Sequence, residues 1–449
     1  MAAASEEVRC VDFWCNEFGM RARIALREKR VGFEFVEEDL RVRERSDLVR
    51  RMNPVHRSIP ILIHDGRPVC GSTNIVEYVD EAWRGETRLL PADPVERAHA
   101  RFWADFVDNK VYPAQTRFFT GRGEAKAAAL AELLAHLRRL EGVLGEKPFF
   151  GGDEFGFLDV AFVPFSAMFY GYEQHGGVSM EAECPRLMRW VRRCAERESV
   201  RSVLPSGVDM YDIHKEFYAI EMQAHSPATA ADMATGDGQS EVTCVDFWAN
   251  GFGMRARIAL RELGVAFRYV EEDLRVRGER SELVRRMNPV HRSVPILIHA
   301  GRPVCGSLNI LEYIDQVWGP ILPADPLQRA HARFWADFVD NQTRFLKSKG
   351  EEKAALKAEL LGQLKLLEAE ALGDRPFFAG DEFGFLDAVL IPFTSMFHGY
   401  EQHGEFSFDD ECPALMRWVR RCMERDSVRS VLPDEKEMYE LHKIWYGTE

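Results

Sequence analysis

Residues Asp12–Leu26 read DFWCNEFGMRARIAL, and residues Asp246–Leu260 read DFWANGFGMRARIAL. From Phe18 to Glu28 and from Phe252 to Glu262 the two stretches agree letter for letter. Just ahead of the identical part, Cys-Asn-Glu in the first copy becomes Ala-Asn-Gly in the second. A short β-rich run, VRCVDFW, leads into the first stretch, and FGMRARIALREK has helical spacing. The unit is a strand, a variable turn and a helix whose sequence packing holds constant.

The repeat runs far beyond these letters. Asn53 corresponds to Asn288, Arg101 to Arg333 and Asp159 to Asp387. Gly278 is inserted in the second copy, the loop before LPADP is shorter there, and KVYPA (Lys110 to Ala114) is missing from it. These length changes fall in loops or at a helix interruption, as expected of duplicated folded modules. A repeat this long is a pair of domains rather than a solenoid. The intervening MQAHSPATAADMATGDGQSE, Met222–Glu241, is rich in Ala, Thr, Ser and Gly without apolar periodicity, and reads as a flexible tether.

Within a copy, FEFVEEDL reads as a second strand and a short helix ends at RRMNPVH. IPILIHDGRPVCG is two strands about an Asp-Gly turn, a strong hairpin signal. STNIVEYVDEAW reads as an amphipathic helix with a Ser cap. The order β-α-β-α-β-β-α predicts a mixed sheet covered by helices. From Asp93 onward the pattern is wholly helical. Each module is therefore expected to be an α/β domain followed by an all-α domain: residues 7–86 and 93–220, a linker over 221–240, then 241–319 and 325–446. In EFGFLDVAF, Asp159 stands three residues after Gly156 at a helix start, where a carboxylate satisfies first-turn N–H groups. Asp159 and Asp387 are thus expected to cap, not to catalyse.

The chain has 449 residues, well beyond the roughly 100–200 of one domain. Hydrophobic residues make up 46% and charged residues 29%, the composition of a folded soluble chain. A formal net charge of −14 opposes general binding to nucleic acid or anionic membranes, which need a positive field. MAAASEEVRC lacks a basic start and an apolar core, so no secretory signal is expected. No apolar run reaches the about 18 residues of a membrane span. The expected compartment is the cytoplasm. Of nine cysteines, Cys10, Cys70, Cys184 and Cys194 recur as Cys244, Cys305, Cys412 and Cys422, leaving Cys15 unmatched. With no CxxC pair and no zinc-ligand spacing, these read as buried small hydrophobes, and no metal is expected.

FGMRARIAL, EEDL, NPVHRSIPILIHDGRPVCGS, IVEYVDE, LPADP and GFLD, in this order, resemble plant tau-class glutathione transferases over nearly all of both modules. The resemblance implies a thioredoxin-like domain that binds glutathione, then a helical domain that receives an apolar electrophile. It also implies pairing of modules, within one chain or in a homodimer.

Carried onto this sequence, the resemblance puts the thiol-activating group on the turn before the first helix, where the family has Ser-Pro and this chain has Asn16-Glu17 and Asn250-Gly251. An amide can still donate, so Asn16 and Asn250 are the candidate catalytic residues. Cys15 and Ala249 lie one place too early. Arg45 and Arg280 replace a loop lysine that meets the glycyl carboxylate. Ser58 and Ser293 stand where a second lysine is usual. Ile59 and Val294 are the implied backbone partners of the cysteinyl unit, before the expected cis-prolines Pro60 and Pro295. Ser72 and Ser307 remain of a Glu-Ser pair that holds the γ-glutamyl end, its Glu replaced by Gly71 and Gly306. Three functions stay open: a glutathione transferase with Asn in the serine's place, a small-molecule binding protein on a degenerate transferase fold, and a protein-interaction scaffold.

Overall fold

The computed structural model describes residues 7–42, 44–85, 87–218, 242–275, 280–338, 345, 348 and 351–446. The expected linker, 221–240, lies outside them. Two compact units result, Met1–Thr235 and Gly236–Glu449.

In the first unit, β1 (Val8–Asp12), α1 (Glu17–Glu28), β2 (Glu34–Glu37), α2 (Asp47–Met52), β3 (Ile61–His64), β4 (Arg67–Cys70) and α3 (Ser72–Ala82) follow in the expected order. The sheet is β2-β1-β3-β4. β1 runs parallel to β2 and antiparallel to β3, and β3 and β4 form the hairpin. Its turn residues Asp65 and Gly66 have φ of 49° and 77°, the left-handed pair that matches strand twist. Val8, Cys10 and Val11 of β1 and Ile61, Leu62 and Ile63 of β3 are buried, as are Met20, Ile24, Ala25 and Leu26 of α1. That shared apolar face is what presses α1 onto the sheet.

The helical part comprises α4 (Pro94–Phe106), α5 (Tyr112–Thr120), α6 (Gly123–Leu144), α7 (Phe157–Phe162), α8 (Phe169–Gly176), α9 (Met180–Glu183), α10 (Pro185–Glu196), α11 (Glu198–Arg201) and α12 (Gly207–Tyr218). Asp93 caps α4 by accepting from Glu96 N at 2.9 Å, ahead of Pro94 at the first position. A π-helical segment, Val107–Val111, joins α4 to α5. It contains the first residues of the KVYPA insertion, as a π-turn absorbs extra residues inside a helix. The corresponding part of the second unit falls largely outside the described residues.

The second unit repeats the plan with β5 (Val242–Asp246), α13 (Gly251–Glu262), β6 (Arg268–Glu271), α14 (Glu282–Met287), β7 (Ile296–His299), β8 (Arg302–Cys305) and α15 (Ser307–Trp318), then further helices from Pro326. Its sheet order is β6-β5-β7-β8. All nine cysteines are free and buried.

One expectation is corrected. Ser72 does not cap α3: the cap position is Gly71, at φ 90°, with no side-chain cap bond. The Ser72 hydroxyl is instead engaged by Arg21. Ser307 likewise follows Gly306, at φ 89°, and accepts from Arg255.

Candidate functional site

The turn between β1 and α1 is built on Asp12, the last residue of β1 and wholly buried. Asn16 caps α1, its Oδ1 accepting from Phe18 N at 3.3 Å. Its Nδ2 donates backward to Asp12 Oδ1 at 2.8 Å. The second unit reproduces both bonds, with Asn250 Nδ2 2.7 Å from Asp246 Oδ1 and Phe252 N 3.3 Å from Asn250 Oδ1. The amide retained in both copies is thus held at both ends. An NH2 group has a second N–H, which the Asp12 bond leaves over.

Asp12 has a cation behind it. Arg23 Nη2 lies 3.2 Å from Asp12 Oδ2 and also donates to Trp14 O at 2.8 Å. The carboxylate oxygen makes this ion pair without an aligned hydrogen bond. Burial pushes the Asp12 carboxyl up to about 7, against the opposing pull of Arg23 and Asn16. Asp246, beside Arg257, is pushed up to about 7 for the same reasons. Burial also raises the Cys15 thiol to about 12, so the thiolate that reactivity requires is disfavoured there.

One turn further along α1, Arg21 is fully buried. Its Nε donates to Ala161 O at 2.7 Å and its Nη1 to Ser72 Oγ and Asp108 Oδ2, both at 3.0 Å. A single guanidinium therefore ties the start of α3, the π segment and α7 to the helix that Asn16 caps. Arg255 does the same toward Val389 O at 3.1 Å and Ser307 Oγ at 2.9 Å.

The remaining candidates are placed as follows. Ile59-Pro60 and Val294-Pro295 are both cis. Ser58 is exposed and held by Asn53, whose Nδ2 donates to Ser58 O at 2.9 Å and Oγ at 3.3 Å. Asn288 holds Ser293 identically. Arg45 turns onto its own loop, donating to Val42 O at 3.0 Å. Arg280 is half-buried ahead of α14.

Sequence reading passed over a cluster on the other side of the turn. Glu17, the first residue of α1, is buried and accepts from Gln115 Nε2 at 3.0 Å. His214 Nε2 of α12 lies 3.4 Å from Glu17 Oε1. Tyr172 donates to the Gln115 carbonyl. The one signal for this cluster was the change from Glu17 to Gly251. Among the described residues no group of three His, Cys, Asp or Glu side chains is placed to hold a metal ion.

Family comparison agrees with this architecture. A glutathione S-transferase N-terminal domain model matches residues 15–87 and a second such model matches 240–316. The family's C-terminal domain model matches 123–193 and 350–421. Glutathione S-transferase 3 of Glycine max is 46% identical over 209 residues, 46% of this chain and 94% of the relative. Probable glutathione S-transferase parC of Nicotiana tabacum is 48% identical over 203 residues, 45% of this chain and 91% of the relative. The crystal structure of rice GST1 in complex with glutathione is 46% identical and covers 48% of this chain and 98% of its own, with a TM-score of 0.46. The chain belongs to the glutathione S-transferase family. It carries two modules of the plant tau-class kind in tandem.

Proposed function

We propose that each module binds glutathione and transfers it to a small apolar electrophile, with Asn16 and Asn250 donating to the thiolate sulfur. The carrying observation is the anchored amide: Asp12 takes one N–H at 2.8 Å and fixes the direction of the other. A donor oriented by a third group follows the logic of preorganised catalytic sites. The thiolate is the nucleophile, and the N-terminus of α1 adds its positive end. Ser72 and Ser307 would take the γ-glutamyl end, Arg45 and Arg280 the glycyl carboxylate, and the backbone at Ile59 and Val294, before Pro60 and Pro295, the cysteinyl unit. Ser58 and Ser293 offer hydroxyls where a cation would bind more tightly. The setting is cytoplasmic, and modules pair within a chain or between chains.

The test is conjugation of a chloronitrobenzene, in which sulfur bonds to the ring carbon and chloride leaves. Asn16→Ala with Asn250→Ala should lower kcat/KM on the order of a hundredfold, while the Ser pair retains activity. Unchanged turnover in the Ala pair reduces both residues to helix caps.

A second reading, a carrier of apolar molecules without chemistry, draws on Gly71, Gly306, Ser58 and Ser293. Each charge-assisted contact they forgo is worth about 1.5–3 kcal/mol. Calorimetric titration separates the two: heat on adding glutathione supports the transferase, whereas its absence with tight binding of a hydrophobic dye supports the carrier.

A further inference from the structure

Glu17 is a residue that the repeat does not keep. Its carboxylate sits at the start of α1, next to Asn16, and reaches into the helical domain. There it meets His214 of α12 at 3.4 Å and Gln115 of α5 at 3.0 Å, with Tyr172 of α8 behind Gln115. The imidazole's other nitrogen, Nδ1, lies 2.8 Å from Met210 O. A carbonyl only accepts, so Nδ1 carries a proton. A lone pair on Nε2 would then face the carboxylate, and attraction requires a second proton there. The geometry is that of a buried carboxylate–imidazolium pair.

Burial alone would raise Glu17, but the charge and hydrogen bond of His214 hold it below the usual carboxylate range. Burial alone would lower His214, but Glu17 holds it above the usual imidazole range. The other titratable groups that feel Glu17 are Cys15 on the turn, Tyr112 on α5, Tyr172 on α8 and Tyr218 on α12.

The second module is built differently at this point. Gly251 replaces Glu17, and a methyl group there would sit 3.5 Å from the Phe393 ring. Tyr400, the counterpart of Tyr172, donates to Met396 Sδ at 3.8 Å. Tyr112, which packs edge-on against Phe18 with centroids 4.9 Å apart, lies in the segment the second copy lacks.

We propose that Glu17 and His214 are positioning residues that clamp the thiol turn of the first module to its last helix, making the two modules functionally unequal. The proposal rests on the glutathione reading given above. The clamp is engaged where Glu17 is ionised and His214 protonated. Because the imidazole's folded pKa is raised, that contribution is complete below its unfolded value. It is lost as pH rises through the folded one.

Hydrogen exchange of the full chain, followed by mass spectrometry between about pH 5.5 and 8.5 and corrected for intrinsic rates, reads the clamp directly. Protection of residues 207–218 should fall about tenfold as pH rises. Residues 435–446 of the second module should show no such step. Glu17→Gln keeps an acceptor for Gln115 but removes the charge, so the step should vanish, and Glu17→Asp should restore part of it. Absence of the step in the native chain, or its persistence in the Gln variant, overturns the clamp. Glutathione titration then tests its purpose: two classes of site are expected, one losing affinity with rising pH and losing that dependence in Glu17→Gln. A clamp seen by exchange with no glutathione heat in any form overturns the transferase reading and the positioning role with it.

Discussion

At Gly19 a methyl group would lie 1.9 Å from the Asp12 carboxylate, and at Gly253 the same distance from Asp246. No neighbour can yield, because Asp12 is held by Asn16 and Arg23. Gly19→Ala should therefore cost about 1–3 kcal/mol or more. Gly142, exposed within α6 with nothing near its would-be Cβ, should gain up to about 1 kcal/mol as Ala. Urea midpoints of the two variants check the contrast in sign. Gly71 carries opposing effects. Gly71→Glu places a carboxylate where the family resemblance implies one and, on the proposed function, should raise glutathione affinity about tenfold, yet φ of 90° is strained for any side chain, so its Tm should drop. Asn16 stood out in the sequence because both copies keep it. That its amide is shared between a helix cap and Asp12 was not legible there, because the bond joins a strand end to a turn through side-chain rotamers.

Among the elements, α7 depends on one carboxylate. Asp159 accepts from Phe150 N and Gly156 N, both at 2.9 Å, and from Trp190 Nε1 at 2.7 Å. Asp387 repeats the set toward Phe378 N, Gly384 N and Trp418 Nε1. The capping role expected from GFLD is what both copies show. Asp159→Ala strands three buried donors and should cost at least about 3 kcal/mol, read as loss of the first module's unfolding transition at lower urea. The tryptophan was not foreseeable: α10 brings Trp190 in from 31 residues away. The Ser72 cap failed for a related reason. A serine before an amphipathic run is a good local cap signal, but buried Arg21 lacks enough acceptors without that hydroxyl.

Over the whole chain, the buried carboxylates set the pH dependence. Burial, opposed by their partners, raises Asp12 and Asp246 to about 7 and Asp387 to about 6, and raises Asp159 as well. Unfolded, these acids ionise near 3.8, so the stability they add in their protonated form is lost progressively as pH rises from about 4 and is gone above about 7. His175 acts in reverse: burial first, then Lys126, lowers it to about 4, and its contribution is lost as pH falls. With four raised acids against one lowered histidine, Tm should decline as pH rises from about 5 to about 7 and level off above that. Asp12→Asn with Asp246→Asn should flatten that decline, and a Tm rising over the same range would show the carboxylates ionised in the native state.

Strand and helix order, the duplication and the Asp-Gly hairpin were readable in the sequence, because each rests on local chemistry and periodic burial; the cis bonds before Pro60 and Pro295 were implied by the family resemblance alone. Two features needed the folded chain. One is why FGMRARIAL is invariant: beyond its apolar face, it supplies a glycine against Asp12 and two buried arginines whose acceptors lie as far away as Ala161. The other is what the shift from Cys-Asn-Glu to Ala-Asn-Gly means. Only packing of α12 and α5 against the first turn of α1 brings His214 and Gln115 to Glu17. A buried charge is defined by partners that lie far from it along the chain, and local pattern holds no record of them.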